Sequence, residues 1–127
     1  MIKNMKSQKD KTLLIVEDFD IIRNLIGKEF QRNGFTIISV GRVTDAVLVG
    51  ETNPPDVIIV DYDMRSSDPY QAISILHQTL PGSAVFLMNG SRNRCVEEKA
   101  RLAGAQNILE RIFQLPVLER IIYGTAV

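Results

Sequence analysis

The sequence predicts an α/β fold, a doubly wound five-stranded parallel sheet with helices on both faces. Three observations lead there. Five short strand-like runs are mostly continuously apolar, the pattern of parallel strands covered on both sides. Helix-period segments separate them, and strict βα alternation with right-handed crossovers distributes helices over both faces. Two of the apolar runs also end on carboxylates, Leu13-Leu14-Ile15-Val16-Glu17-Asp18 and Val57-Ile58-Ile59-Val60-Asp61. Open α/β sheets place their chemistry at such carboxyl ends.

The expected strands are Thr12–Val16, Thr36–Val40, Val57–Val60, Ala84–Met88 and Asn107–Leu109. The first helix carries a stripe of Ile21, Ile22, Leu25, Ile26 and Phe30 and stops at Asn33-Gly34, a common helix-ending pair. Ala46, Val47 and Val49 serve the second, which ends before Asn53-Pro54-Pro55. Asp68 caps the third, Pro69 suits its first turn and Gln71 can complete a capping-box-like arrangement. Its apolar positions are Ile73, Ile75, Leu76 and Leu80, closing at Pro81-Gly82. The fourth runs from about Asn93 to Ala103 and stops at Gly104; a fifth begins near Pro116 with Val117, Leu118, Ile121 and Ile122.

With 127 residues, 45% of them hydrophobic, the chain suits one domain with one core. Residues 1–11, with Lys3, Lys6, Lys9 and Lys11, read as a solvated basic tail, and 12–127 as the domain. Fifteen basic and fifteen acidic residues cancel, which gives no global field for nucleic acid. No apolar run reaches the roughly 18 residues of a membrane helix, and no secretory signal is evident. The single Cys95 cannot form an internal disulfide, which suits a reducing cytoplasm. A packing role is expected for it. His77 is expected to be structural or exposed, and Tyr62 either shields Asp61 or packs.

In a sheet ordered 2-1-3-4-5, the first and third strands meet at the topological switch point. Glu17, Asp18 and Asp61 then converge in one crevice. Hard oxygen ligands that leave room for water favour Mg2+ or Mn2+. A carboxylate can attack a phosphoryl group, and such transfer depends mostly on positioning and charge neutralisation. The bland alternatives are Asp18 as a helix cap, Glu17 as a surface charge and Asp61 as a turn former.

From Thr12 to Tyr123 the chain resembles a response-regulator receiver domain, which implies the flavodoxin-like sheet order. The resemblance rests on Leu14-Ile15-Val16-Glu17-Asp18, Pro55-Asp56-Val57-Ile58-Ile59-Val60-Asp61-Tyr62-Asp63-Met64 and Leu102-Ala103-Gly104-Ala105. It implies that Asp61 is phosphorylated by a partner histidine kinase or phosphotransfer protein. It also implies that Glu17 and Asp18 help to hold Mg2+, with the Asp63 main-chain carbonyl as a further ligand. An effector domain or output protein is the expected receiver of the signal. The face between the fourth and fifth helices, with Arg92, Arg94, Lys99 and Arg101, is the expected contact or homodimer surface.

Several family positions are altered. The usual Thr or Ser after the fourth strand is Asn89, whose amide still donates but lacks a rotatable hydroxyl. Gly90 keeps access to the site open. The usual Lys-Pro is Arg111-Ile112; Arg111 keeps the charge on a planar fork, and a cis bond before Ile costs about 2.5–4 kcal/mol. The aromatic switch position is Ile108. The Pro usually found after Met is Arg65, and the usual Gly is Pro69. Acceptor and metal residues are therefore kept while the reporting residues are replaced.

Three functions compete. The first is a phosphoacceptor receiver with weakened or unconventional switching. The second is a pseudo-receiver that binds a partner without phosphorylation. The third is a phosphohydrolase, because Asp61-Tyr62-Asp63 is similar to the Asp-x-Asp of haloacid-dehalogenase-type enzymes. Those enzymes carry a further acidic pair downstream, whereas this acidic pair lies upstream. No output module follows Val127, so the chain reads either as a stand-alone receiver or as part of a longer protein.

Overall fold

A computed structural model describes residues 11–89 and 93–110. The expected fifth helix, Gly90, Arg92, Arg111 and all but the last residue of the basic tail lie outside these residues. The described elements alternate as β1 (Thr12–Val16), α1 (Asp20–Arg32), β2 (Thr36–Val40), α2 (Val43–Thr52), β3 (Val57–Asp61), α3 (Pro69–Thr79), β4 (Ala84–Asn89), α4 (Arg94–Ala103) and β5 (Asn107–Glu110). Every strand pair is parallel, and the order is β2-β1-β3-β4-β5. Fold class and strand order are as the sequence predicts.

Side chains on a strand alternate between faces, and that alternation builds two cores. On one face Leu13, Ile15, Val57, Ile59, Phe86, Met88 and Leu109 pack with Ile26 and Phe30 of α1. On the other Leu14, Val16, Ile58, Val60, Val85, Leu87 and Ile108 pack with Val43 and Ala46 of α2, Ile73 and Leu76 of α3 and Ala100 of α4. Each fully buried Leu, Ile, Val or Phe stabilises the fold by about 1.5–3 kcal/mol relative to exposure. Lys11 already belongs to this scaffold, because its carbonyl accepts the Thr36 N–H at 2.9 Å.

The helix starts follow their capping chemistry. Asp68 Oδ1 accepts from the N–H groups of Tyr70 at 2.8 Å and Gln71 at 3.3 Å. Asn93 does the same for α4, accepting from Cys95 and Val96. Such caps contribute about 1 kcal/mol each. Gly104 ends α4 at φ 121°, and a Cβ there would lie 2.6 Å from His77 Cγ. Both the backbone angle and the close approach require glycine.

Two expectations about apolar stripes need correction. On α1, Ile22, Ile26 and Phe30 recur every fourth residue and face the sheet, which leaves Ile21 and Leu25 exposed at 77% and 63%. On α3, Ile73 and Leu76 are buried whereas Ile75 is exposed. β3, β4 and β5 each run one residue further than expected, because Asp61 pairs with Met88 and Asn89 with Glu110. No helix of the described residues is long and apolar enough to cross a membrane.

Candidate functional site

The site begins with strand register. Val16 lies opposite Val60, so Glu17 and Asp61 follow one step later on adjacent strands, whose spacing is about 4.8 Å. By parity with Leu13 and Ile15, and with Val57 and Ile59, both carboxylates leave the sheet on the α1 face. The backbone ladder continues on either side of them. The Glu17 N–H donates to Val40 O at 3.0 Å, and the Tyr62 N–H donates to Met88 O at 2.8 Å. Glu17 is fully buried and Asp61 is 1% exposed. Glu17 is therefore no surface charge, and Asp61 is the last residue of a strand and no turn former. Buried carboxylates persist only when paired, hydrogen-bonded or coordinating a metal. Glu17 Oε1 accepts the Phe19 N–H at 3.1 Å.

Asp18 does not cap α1, whose N-cap residue is Phe19 and which has no side-chain cap. Its carboxylate instead crosses to the loop between β3 and α3. Asp18 Oδ2 accepts the main-chain N–H of Arg65 and, at 2.8 Å, that of Ser66. Asp18 Oδ1 accepts the Ser66 hydroxyl at 2.8 Å. The Arg65 guanidinium lies 4.9 Å from the centre of the Phe19 ring. Partial burial acts to raise the Asp18 pKa; the Ser66 and Arg65 hydrogen bonds and the Arg65 charge outweigh it and hold the group below 3.8. A depressed carboxyl stabilises the fold above its unfolded pKa and loses that contribution as pH falls through the folded value. The loop contact is thus intact at neutral pH and weakens only in acid below 3.8.

Among the described residues, no group of three His, Cys, Asp or Glu is gathered as a metal cluster. The donor set nevertheless fits a hard divalent cation in kind. Glu17 and Asp61 would supply carboxylate oxygens from adjacent strand ends, and Asp18, now turned to the Arg65 and Ser66 donors, would supply a third. Asp63 is exposed, so its side chain is not part of the buried pair, and its main-chain carbonyl is the group to consider. Oxygen ligands of this kind select Mg2+ or Mn2+ over softer metals.

Asn89 ends β4 at 9% exposure, one step beyond the Asp61 partner Met88. Ile108 is buried against the α3 and α4 side of the core. Cys95 is exposed, so the expected packing role does not hold; its place in the first turn of α4 puts it on the surface. His77 is exposed as well. Arg94, Lys99 and Arg101 all face solvent on α4.

Sequence reasoning missed the tyrosine pair beside the site. Tyr62 and Tyr70 meet edge to face, 6.2 Å between centroids, and Lys99 Nζ lies 5.9 Å from the centre of the Tyr70 ring. Burial, then the Tyr62 hydrogen bond, pushes the Tyr70 phenol up to about 12. The stability this brings is full below the ordinary pKa of 10.0 and falls as pH rises from there to about 12. Ultraviolet titration of the phenols will show a step at about 12 that Tyr70→Phe removes. A Tyr70 that ionises near 10 would contradict this geometry.

The model of the response regulator receiver domain matches residues 13–123. The chain belongs to that family. The cyclic di-GMP phosphodiesterase of Thermotoga maritima is 27% identical over 107 residues, 84% of this chain and 28% of its own. The sensor histidine kinase RcsC of Salmonella typhimurium is 29% identical over 120 residues, 93% of this chain and 12% of its own. The chain thus spans less than a third of each curated relative. Among solved structures, the chemotaxis protein CheY4 of Vibrio cholerae superposes with a TM-score of 0.79 at 16% identity, covering 91% of this chain and 98% of its own. A Burkholderia pseudomallei response regulator, solved with a phosphorylated aspartic acid, reaches the same TM-score at 17% identity over 89% of this chain and 66% of its own. At these identities the structural likeness concerns the fold of the receiver.

Proposed function

We propose that this receiver accepts a phosphoryl group on Asp61 from the phosphohistidine of a histidine kinase or phosphotransfer protein. The observation that carries the reading is the placement of a buried Asp61 at the end of β3, one strand from a buried Glu17. An Asp61 carboxylate oxygen attacks phosphorus, the P–N bond breaks, and its electron pair stays on the imidazole nitrogen of the donor. The product is an acyl phosphate on Asp61. Glu17, Asp18, Asp61 and the Asp63 carbonyl would hold Mg2+, which supplies charge neutralisation when bound. Asn89 would donate its amide N–H to the phosphoryl oxygens, and Arg111 keeps the charge of the family Lys. The cytoplasm is the compartment this chemistry implies.

Transmission is weakened in this reading. Ile108 is aliphatic and packed in the core, so no aromatic ring there can report on the phosphate. Incubation with Mg2+ and a small phosphodonor should add one alkali-labile phosphoryl group per chain by mass spectrometry. A wild type left unmodified under conditions that saturate an ordinary receiver would sink the proposal.

A second reading, a partner-binding module independent of phosphate, draws on the exposed Arg94, Lys99 and Arg101 of α4. This face is the proposed contact for an output protein, an effector domain or a second copy. Partner binding unchanged by phosphodonor would favour it.

A further inference from the structure

We infer that Arg65 and Ser66 compete with the divalent cation for Asp18, so that metal binding and closure of the β3–α3 loop oppose each other. The inference deepens the phosphoacceptor reading and rests on its metal site. An ionised carboxylate offers about four acceptor positions. Three are taken on Asp18, by the Arg65 N–H, the Ser66 N–H and the Ser66 hydroxyl. All three donors come from one short stretch 47 to 48 residues away in sequence. Hydrogen bonds to an ionised acceptor are the strong ones. A cation that draws on Asp18 must therefore displace donors or share a carboxylate already polarised by them.

A second contact ties the same two loops. The Arg65 guanidinium sits over Phe19, the residue after Asp18, an arrangement that is attractive on its own. Arg65 thus acts twice, through its N–H on Asp18 and its charge on Phe19. Proline, usual in the family at this position, could do neither, since it carries no N–H and no charge. Arg65 and Ser66 are positioning residues here: they act on the cation only through Asp18.

The coupling is reciprocal by linkage, so whatever the clasp costs the metal, the metal costs the clasp. Three variants separate this from a merely structural role: Ser66→Ala removes the hydroxyl donor, Arg65→Pro removes an N–H and the cation, and Ser66→Thr keeps a hydroxyl. Mg2+ affinity of the full chain, read by titration calorimetry, should tighten about fivefold in Ser66→Ala and more in Arg65→Pro, since the cation no longer has to displace a charge-assisted hydrogen bond screened by solvent. Ser66→Thr should restore the wild-type value. In wild type, Mg2+ should speed deuterium exchange at the Arg65 and Ser66 amides.

Weaker Mg2+ binding by Ser66→Ala, or slower exchange at those amides with Mg2+, would overturn the competition and leave phosphate acceptance standing. Absence of any Mg2+ binding would overturn the competition together with the metal part of the phosphoacceptor reading. Should Arg65→Pro misfold, the Ser66 pair alone decides the matter.

Discussion

Asp61→Asn will take up no phosphoryl group from a small phosphodonor, and its fold will survive. The amide is nearly isosteric with the carboxylate, so the end of β3 keeps its pairing with Met88 and its close packing. What disappears is the anionic oxygen that attacks phosphorus. Mass spectrometry should therefore show complete loss of the added mass, with no change in the far-ultraviolet spectrum. The same variant should lose most of the thermal stabilisation that Mg2+ gives the wild type. A ligand at 100 times its dissociation constant stabilises the folded state by about 2.7 kcal/mol, a shift of several degrees in a domain of this size. If Asp61→Asn were labelled as fully as wild type, the acceptor would lie elsewhere and the central assignment would fail.

Phe86→Ala will cost about 3–5 kcal/mol of stability, as large aromatic truncations in a closed core do. Phe86 is fully buried in β4, with Ile59 on one side and Asn107 on the other as register partners. It belongs to the same core face as Ile26 and Phe30 of α1. Single domains have about 5–15 kcal/mol in total, so this one change brings the variant close to the unfolding threshold. Urea denaturation should show a lower midpoint with an unchanged slope. A loss below about 1 kcal/mol would mean that the α1-side core collapses around the gap more readily than close packing allows.

The sheet was legible because its strands are continuous apolar runs, a pattern that survives without knowledge of neighbours. Asp68 announced its helix through local capping chemistry, which also needs no tertiary context, whereas Asn93 was legible only as the approximate start of α4. The α1 stripe was misread at Ile21 and Leu25 because five apolar residues cover more than the face a sheet can bury. Only tertiary packing selects Ile22, Ile26 and Phe30. At the site, Glu17, Asp18 and Asp61 were visible as residue types at strand ends. Their arrangement was not, since the Asp18 hydrogen bonds span 47 and 48 residues and no periodicity encodes them. The one available signal was Arg65 at a position that resembles a family proline, which frees an N–H for use. Cys95 was misplaced for a simpler reason: a cysteine's average preference for burial says nothing about which side of α4 it occupies.

Gly104 ends α4 beside the His77 side chain of α3. A Cβ at position 104 would lie 2.6–2.8 Å from three His77 side-chain atoms, so the ends of α3 and α4 approach more closely there than a residue with a side chain would allow. The spacing of these two helix ends is thus set by the absence of one side chain, and any residue with a Cβ at 104 has to part them.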